Sequence, residues 1–116
     1  MRLLIIDDEP ALLELLRRYL MRLGYDVETF AAAEDALARF EAEPAAFSMA
    51  ITDLSLPGMN GEDLIRKLRE RRPRLPAIIT SGYPYQPRSA DIGFLQKPFL
   101  PQAMAEKIKE ALKDPV

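Results

Sequence analysis

The chain has 116 residues, which makes one domain the expectation, and 48% of them are apolar, enough for a hydrophobic core. The formal net charge of −2 gives no general attraction to nucleic acid or to an anionic membrane, and no apolar stretch is long enough to span a bilayer. Cysteine and histidine are both absent. This excludes disulfides, thiolate and imidazole metal sites, Ser-His nucleophiles and histidine phosphorylation on this chain, so any metal must be held by oxygen, which favours a hard cation such as Mg²⁺.

Leu3-Leu4-Ile5-Ile6 reads as a buried strand ending in Asp7-Asp8-Glu9. Those acids break the apolar run too early for a signal peptide, so a soluble cytoplasmic domain is expected. Pro10 suits the first turn of a helix, and Leu12, Leu16, Tyr19, Leu20 and Leu23 recur at helical spacing until Gly24 closes it. Tyr25 to Phe30 alternates and predicts a second strand. Ala33 to Phe40 is a helical pattern with Ala36, Leu37 and Phe40 on one side. Only alanines stand at its cap positions, so its start is expected to fray, and Pro44 ends it. Phe47 to Thr52 is a third strand, with Asp53 at its carboxyl end and a short loop and Pro57-Gly58 turn beyond.

Asn60 or Gly61 opens the next helix, with Leu64, Ile65 and Leu68 inward. Arg66, Lys67, Arg69, Arg71, Arg72 and Arg74 crowd its outer face and end. They read as a solvated face with cations near a helix C-terminus rather than as a basic docking patch. Pro76 to Thr80 is a fourth apolar strand, followed by Ser81-Gly82. Tyr83 to Asp91 carries Pro84 and Pro87 and has no helical period. It is expected to be irregular, with at most one helical turn, to be mobile, and to leave the nearby sheet edge thinly covered. Ile92 to Leu95 is a short fifth strand before Gln96-Lys97-Pro98-Phe99, and Pro101 opens a last helix with Met104, Ile108, Ala111 and Leu112 inward.

Strand and helix alternate throughout, which implies βαβ units and a parallel sheet with helices on both faces. All strands of such a sheet end at one edge, where ligands bind. Asp7, Asp8, Asp53, Ser81 and Lys97 therefore converge there although they are distant in sequence. Carboxylates brought together repel unless a cation neutralises them. An all-oxygen site suits Mg²⁺, while a hydroxyl and an ammonium suit a phosphoryl group, whose transfer needs positioning and charge neutralisation. Carboxylates also accept phosphoryl covalently. These residues point to a Mg²⁺-assisted phosphoryl site with an aspartate acceptor and leave open which aspartate accepts.

Asp7-Asp8-Glu9, Asp53 with Leu56-Pro57-Gly58-Met59-Asn60-Gly61, Thr80-Ser81-Gly82 and Lys97-Pro98-Phe99 together resemble the signature of the receiver domain of two-component response regulators, over nearly the whole chain. The resemblance implies a single receiver domain over residues 1–116. Its fold would be the flavodoxin-like three-layer αβα sandwich, a five-stranded parallel sheet of order 2-1-3-4-5, here with the fourth helix short or absent. It implies that Asp53 accepts phosphoryl from a phosphohistidine on a sensor histidine kinase or a histidine phosphotransfer protein and thereby switches an interaction surface. Asp8, Asp53 and the Ser55 carbonyl would bind Mg²⁺ directly, with Asp7 acting through metal-bound water. Ser81 would be the switch hydroxyl, Lys97 would pair with the phosphoryl group, and Phe94 matches the aromatic switch position. The Lys97–Pro98 bond would be cis. The chain would be a phosphoacceptor rather than an enzyme in the ordinary sense, with Mg²⁺-dependent self-phosphotransfer and autodephosphorylation. Direct nucleic-acid or membrane contact is not expected, and the chain would be a monomer or weak dimer.

Three other readings compete. Aspartyl phosphatases of the haloacid-dehalogenase type need an Asp-x-Asp motif, which Asp7-Asp8-Glu9 lacks. A flavin-binding electron carrier of this architecture needs a hydroxyl- and glycine-rich loop after the first strand, where this chain has acids. A degenerate receiver used only for docking would not need the acids and Lys97.

Overall fold

The computed structural model describes residues 1–113. Five parallel strands, β1 (Arg2–Ile6), β2 (Asp26–Phe30), β3 (Met49–Asp53), β6 (Ala77–Ser81) and β7 (Ile92–Gln96), form one sheet in the order β2-β1-β3-β6-β7. This is the order expected from the sequence once a small hairpin, β4 (Ser55–Leu56) and β5 (Met59–Asn60), is set aside. The hairpin was not anticipated. Its turn depends on Gly58, whose φ of +79° is available to glycine at little strain and suits the third position of a type II turn after Pro57.

Four helices complete the chain among the described residues: α1 (Pro10–Arg22), α2 (Ala33–Ala42), α3 (Gly61–Arg71) and α4 (Pro101–Leu112). The period of two along the strands sorts the core into two layers. Leu3, Ile5, Met49, Ile51 and Ile78 meet Leu16 and Leu20 of α1 and Met104 and Ile108 of α4. Leu4, Ile6 and Ala50 face the other way, onto Ala33, Ala36 and Phe40 of α2 and Leu64 and Leu68 of α3. Each large aliphatic side chain buried in this way contributes about 1.5–3 kcal/mol relative to leaving it exposed.

Helix ends follow local chemistry. At the end of α1 the Tyr25 amide donates to the Leu20 carbonyl and the Gly24 amide to that of Met21, a Schellman closure that needs the φ of +100° at Gly24. The start of α2 has no side-chain cap, as expected, yet Ala33 and Ala36 are fully buried, so packing holds the turn that propensity alone would let fray. Two members of the arginine run are not solvated. The Arg69 guanidinium donates to the Leu75 carbonyl, and that of Arg72 to the carbonyls of Pro44 and Phe47.

The crossover from β6 to β7 contains no helix, in agreement with the two prolines. It is nevertheless fastened. Glu62 on α3 accepts from the Tyr85 hydroxyl and, at 2.7 Å, from the Arg88 amide. Arg69 pairs with Asp91 at 3.1 Å, and the Tyr85 ring lies 6.4 Å from that of Phe94. An irregular path is thus combined with several contacts to α3 and β7.

Gly61 is the tightest point of the fold. A Cβ there would stand 2.2 Å from the Asp53 carbonyl oxygen. Its amide donates to the Leu54 carbonyl at 2.7 Å, so it cannot move away freely. We expect Gly61→Ala to lower stability by about 1–3 kcal/mol, the usual range for overpacking, as measured by urea unfolding. An unchanged unfolding midpoint would show that the junction yields.

Candidate functional site

Asp7 follows β1, Asp53 ends β3, Ser81 ends β6 and Lys97 follows β7, so the parallel sheet delivers all of them to its carboxyl edge. Backbone bonds fix the strand ends. The Asp7 amide donates to Phe30, that of Leu54 to Thr80, and that of Lys97 to Ser81. The buried Thr52 hydroxyl donates to the Asp53 carbonyl at 2.9 Å. Gly61 and α3 then back this peptide from behind. The start of α3 is held by the Asn60 side chain, which accepts from the Asp63 amide at 2.8 Å.

Carboxylate oxygens of Asp7, Asp8 and Asp53 lie within 4.8 Å of one another. Asp7 and Asp53 are buried, whereas Asp8 is exposed. The Lys97 ammonium sits among them, 2.8 Å from Asp7 and 3.4 Å from Asp53. It also reaches the exposed Glu9 at 3.0 Å. The second oxygen of Asp7 accepts the Glu9 amide at 2.9 Å, an Asx turn that orients the carboxylate. Burial alone would lower the Lys97 pKa, but hydrogen bonds to Asp7 and Glu9 and the charges of Asp7 and Asp53 hold it well above the usual lysine range. The ammonium is therefore permanently charged. For Asp7 burial wins. It raises the carboxyl above its usual value despite the bonds from Lys97 and the Glu9 amide, and the Asp53 charge adds to the rise.

Ser81 is buried and its Oγ accepts the Tyr83 amide at 3.2 Å. Ser55 lies two residues beyond Asp53 in β4, with its side chain exposed. Phe94 is half-buried on β7 and packs toward Tyr85 on the α3 side of the sheet. The Lys97–Pro98 peptide is cis. The structure thus brings Asp7, Asp8, Asp53 and Lys97 together directly, with Ser81 on the neighbouring strand end. The pairing of Glu9 with Lys97 was not legible beforehand, since its partner lies 88 residues away. Nor did it show the closeness of Gly61 to Asp53, although Gly at a strand-to-helix turn is a signal for close backbone approach.

An αβα domain with an acidic cluster and a lysine at its carboxyl edge belongs to a recognisable class. The family model of the response regulator receiver domain matches residues 3–109, and the chain belongs to this family, the phosphoacceptors of two-component signalling. It is 33% identical to the sensor kinase CckA of Brucella abortus, over 95% of this chain and 12% of the kinase. A solved receiver domain from the hybrid histidine kinase CckA is 31% identical, with a TM-score of 0.88, covering 97% of this chain and all of that one. The response regulator TrrA of Thermotoga maritima, solved with Mg²⁺-BeF, is 29% identical with a TM-score of 0.83, over 96% of this chain and 98% of that one. The chain spans half or less of the first curated relatives it matches.

The raised Asp7 pKa has a consequence for stability. A carboxyl whose folded value exceeds its unfolded one favours folding below the unfolded pKa, and that contribution is lost as pH rises through the folded value. At pH 7, well above the unfolded value, Asp7 therefore opposes folding. We expect Asp7→Asn to raise the melting temperature of the metal-free protein at pH 7, and the gain to vanish below about pH 4, where the native carboxyl is also neutral. Melts in chelator at both pH values check this. A lower melting temperature at pH 7 would mean that the ion pair with Lys97 outweighs burial.

Proposed function

We propose that Asp53 is the phosphoacceptor, receiving phosphoryl from a phosphohistidine on a sensor histidine kinase or a histidine phosphotransfer protein. What carries this reading is the position of the Asp53 carboxylate, at a strand end within reach of both Asp7 and Asp8 and 3.4 Å from the Lys97 ammonium. An Asp53 oxygen attacks phosphorus, a P–O bond forms as the N–P bond to imidazole breaks, and the donor imidazole leaves with the electron pair. Lys97 already carries the charge that would face the phosphoryl oxygens, so it exchanges carboxylate partners rather than changing protonation. Ser81 would donate its hydroxyl proton to a phosphoryl oxygen, a role compatible with accepting the Tyr83 amide, and Phe94 would be the aromatic member of the switch.

The donor set fits a divalent cation. The carboxylate oxygens of Asp7, Asp8 and Asp53 lie within 4.8 Å of one another, they are all hard oxygen donors, and Asp8 is open to solvent. Asp8, Asp53 and the Ser55 carbonyl would hold Mg²⁺ directly and Asp7 through water. The ion would supply charge neutralisation and alignment of the phosphoryl oxygens. On the same reading residues 1–116 form one receiver domain, working in the cytoplasm as a monomer or weak dimer. It is a substrate of its kinase with Mg²⁺-dependent self-phosphotransfer and autodephosphorylation, and makes no direct contact with nucleic acid or membrane.

With a small-molecule phosphodonor and Mg²⁺, intact-mass spectrometry should show one phosphate on the native chain and none on Asp53→Asn, which keeps the shape but not the nucleophilic charge. An undiminished adduct in that variant would refute the assignment. The metal roles are checked separately. Asp8→Ala should weaken Mg²⁺ binding by roughly tenfold or more, about 1.4 kcal/mol, and by more than Asp7→Ala does. Equal affinities would contradict the direct and indirect roles.

A further inference from the structure

An ammonium has three hydrogens to donate, and that of Lys97 is within reach of three carboxylates: Asp7 at 2.8 Å, Glu9 at 3.0 Å and Asp53 at 3.4 Å. In the resting chain it is therefore saturated, and a phosphoryl oxygen arriving at Asp53 needs one of these places. The three acceptors are not equally able to yield. Asp7 and Asp53 are buried, and either would be left as a charge poorly reached by water. The Glu9 side chain is 61% exposed and stands beside an open cleft of about 460 Å³ that Leu12, Gly82 and Phe99 also line. Water replaces the lysine around Glu9 when it leaves, so its departure costs least.

The Glu9 side chain serves this contact and not its helix. Glu9 is the N-cap of α1, yet its carboxylate caps no amide there. Its own amide donates to Asp7 at 2.9 Å, which fixes the backbone from which the side chain crosses to Lys97. Lys97 does not depend on Glu9 for its placement. The ammonium is tied to the buried Asp7, and the Lys97 amide donates to the Ser81 carbonyl at 2.7 Å.

We propose that Glu9 is a positioning residue that acts through Lys97. It occupies one ammonium hydrogen in the resting chain, turns out to solvent as a phosphoryl group arrives, and so lowers the affinity of the site for that group. The proposal rests on the reading of Asp53 and Lys97 given above.

The test measures beryllofluoride binding to the full chain by ¹⁹F resonance in saturating Mg²⁺. Glu9→Ala removes both contact and charge. Glu9→Asp keeps the charge, but it is one methylene shorter and at an N-cap bonds a free amide of the first turn of α1. We expect both variants to bind beryllofluoride roughly two- to fivefold more tightly than the native chain, the range of an exposed ion pair, and Glu9→Asp to melt higher. Tighter binding in Glu9→Ala alone would reduce Glu9 to a bulk charge, and unchanged or weaker binding in both would show that it does not compete for Lys97. A loss of Mg²⁺ affinity in Glu9→Ala as large as in Asp8→Ala would make Glu9 a metal ligand. Each of these overturns the proposal. A scalar coupling across the hydrogen bond, from Lys97 ¹⁵Nζ to Glu9 ¹³Cδ, tests the contact with no phosphoryl group present. It should be seen in the metal-free native chain and vanish once beryllofluoride binds, and its absence from the metal-free chain would also overturn the proposal. A native chain that binds no beryllofluoride overturns the reading of Asp53, and the role of Glu9 falls with it. The other failures, in a native chain that does bind it, overturn the role of Glu9 alone.

Discussion

Asp7 and Asp53 are buried side by side, and two carboxylates so placed repel; the Lys97 ammonium between them is what lets β1 and β3 end at the same edge. The balance is deliberately incomplete. One positive charge faces Asp7, Asp53 and Glu9, with Asp8 close by, so the edge keeps a net negative field. Such a field attracts a hard cation and stores the repulsion that a cation relieves. Lys97 is thus a counter-charge that neutralises only part of the acidic cluster.

That electrostatic arrangement is useful only if the strand ends stay still. Here it rests on backbone rather than on flexible side chains. Thr52, Thr80 and Gly61 bond or abut the peptides around Asp53, and the Lys97 amide bonds Ser81. The sheet edge is braced by these contacts, and the acids of the edge that stand open to solvent are Asp8 and Glu9. A site carried on strand ends is held more closely than one carried on loops.

How much could be read beforehand follows from the range of each interaction. Alternation and helical spacing are local, and they fixed all five long strands, the four helices and the absence of a helix after Pro84. Parallel topology then brought Asp7, Asp53, Ser81 and Lys97 together without any knowledge of contacts. What escaped was long-range or context-dependent. Ala33 looked like a poor helix start because its burial against the sheet is invisible locally. Arg69 and Arg72 looked solvated because the carbonyls they serve belong to the loops beyond the helices, those of Leu75, Pro44 and Phe47. The two-residue strands of the β4–β5 hairpin are too short to carry a period at all. Glu62 gave no sign that it would anchor Tyr85 and Arg88 across the missing helix.

The bare crossover also bears on how the chain reaches its native state. Ala77 pairs with Ile92, whereas Leu3 must find Met49 and Ala50 must find Ala77. The β6–β7 ladder therefore closes the shortest loop of the parallel pairs and asks the least of chain entropy. Ser81 and Lys97, joined by a backbone bond across that ladder, are placed relative to each other by nearly local pairing. Asp7 and Asp53 are joined only through the long-range β1–β3 pairing, so the two halves of the site differ in the chain length their pairings must close.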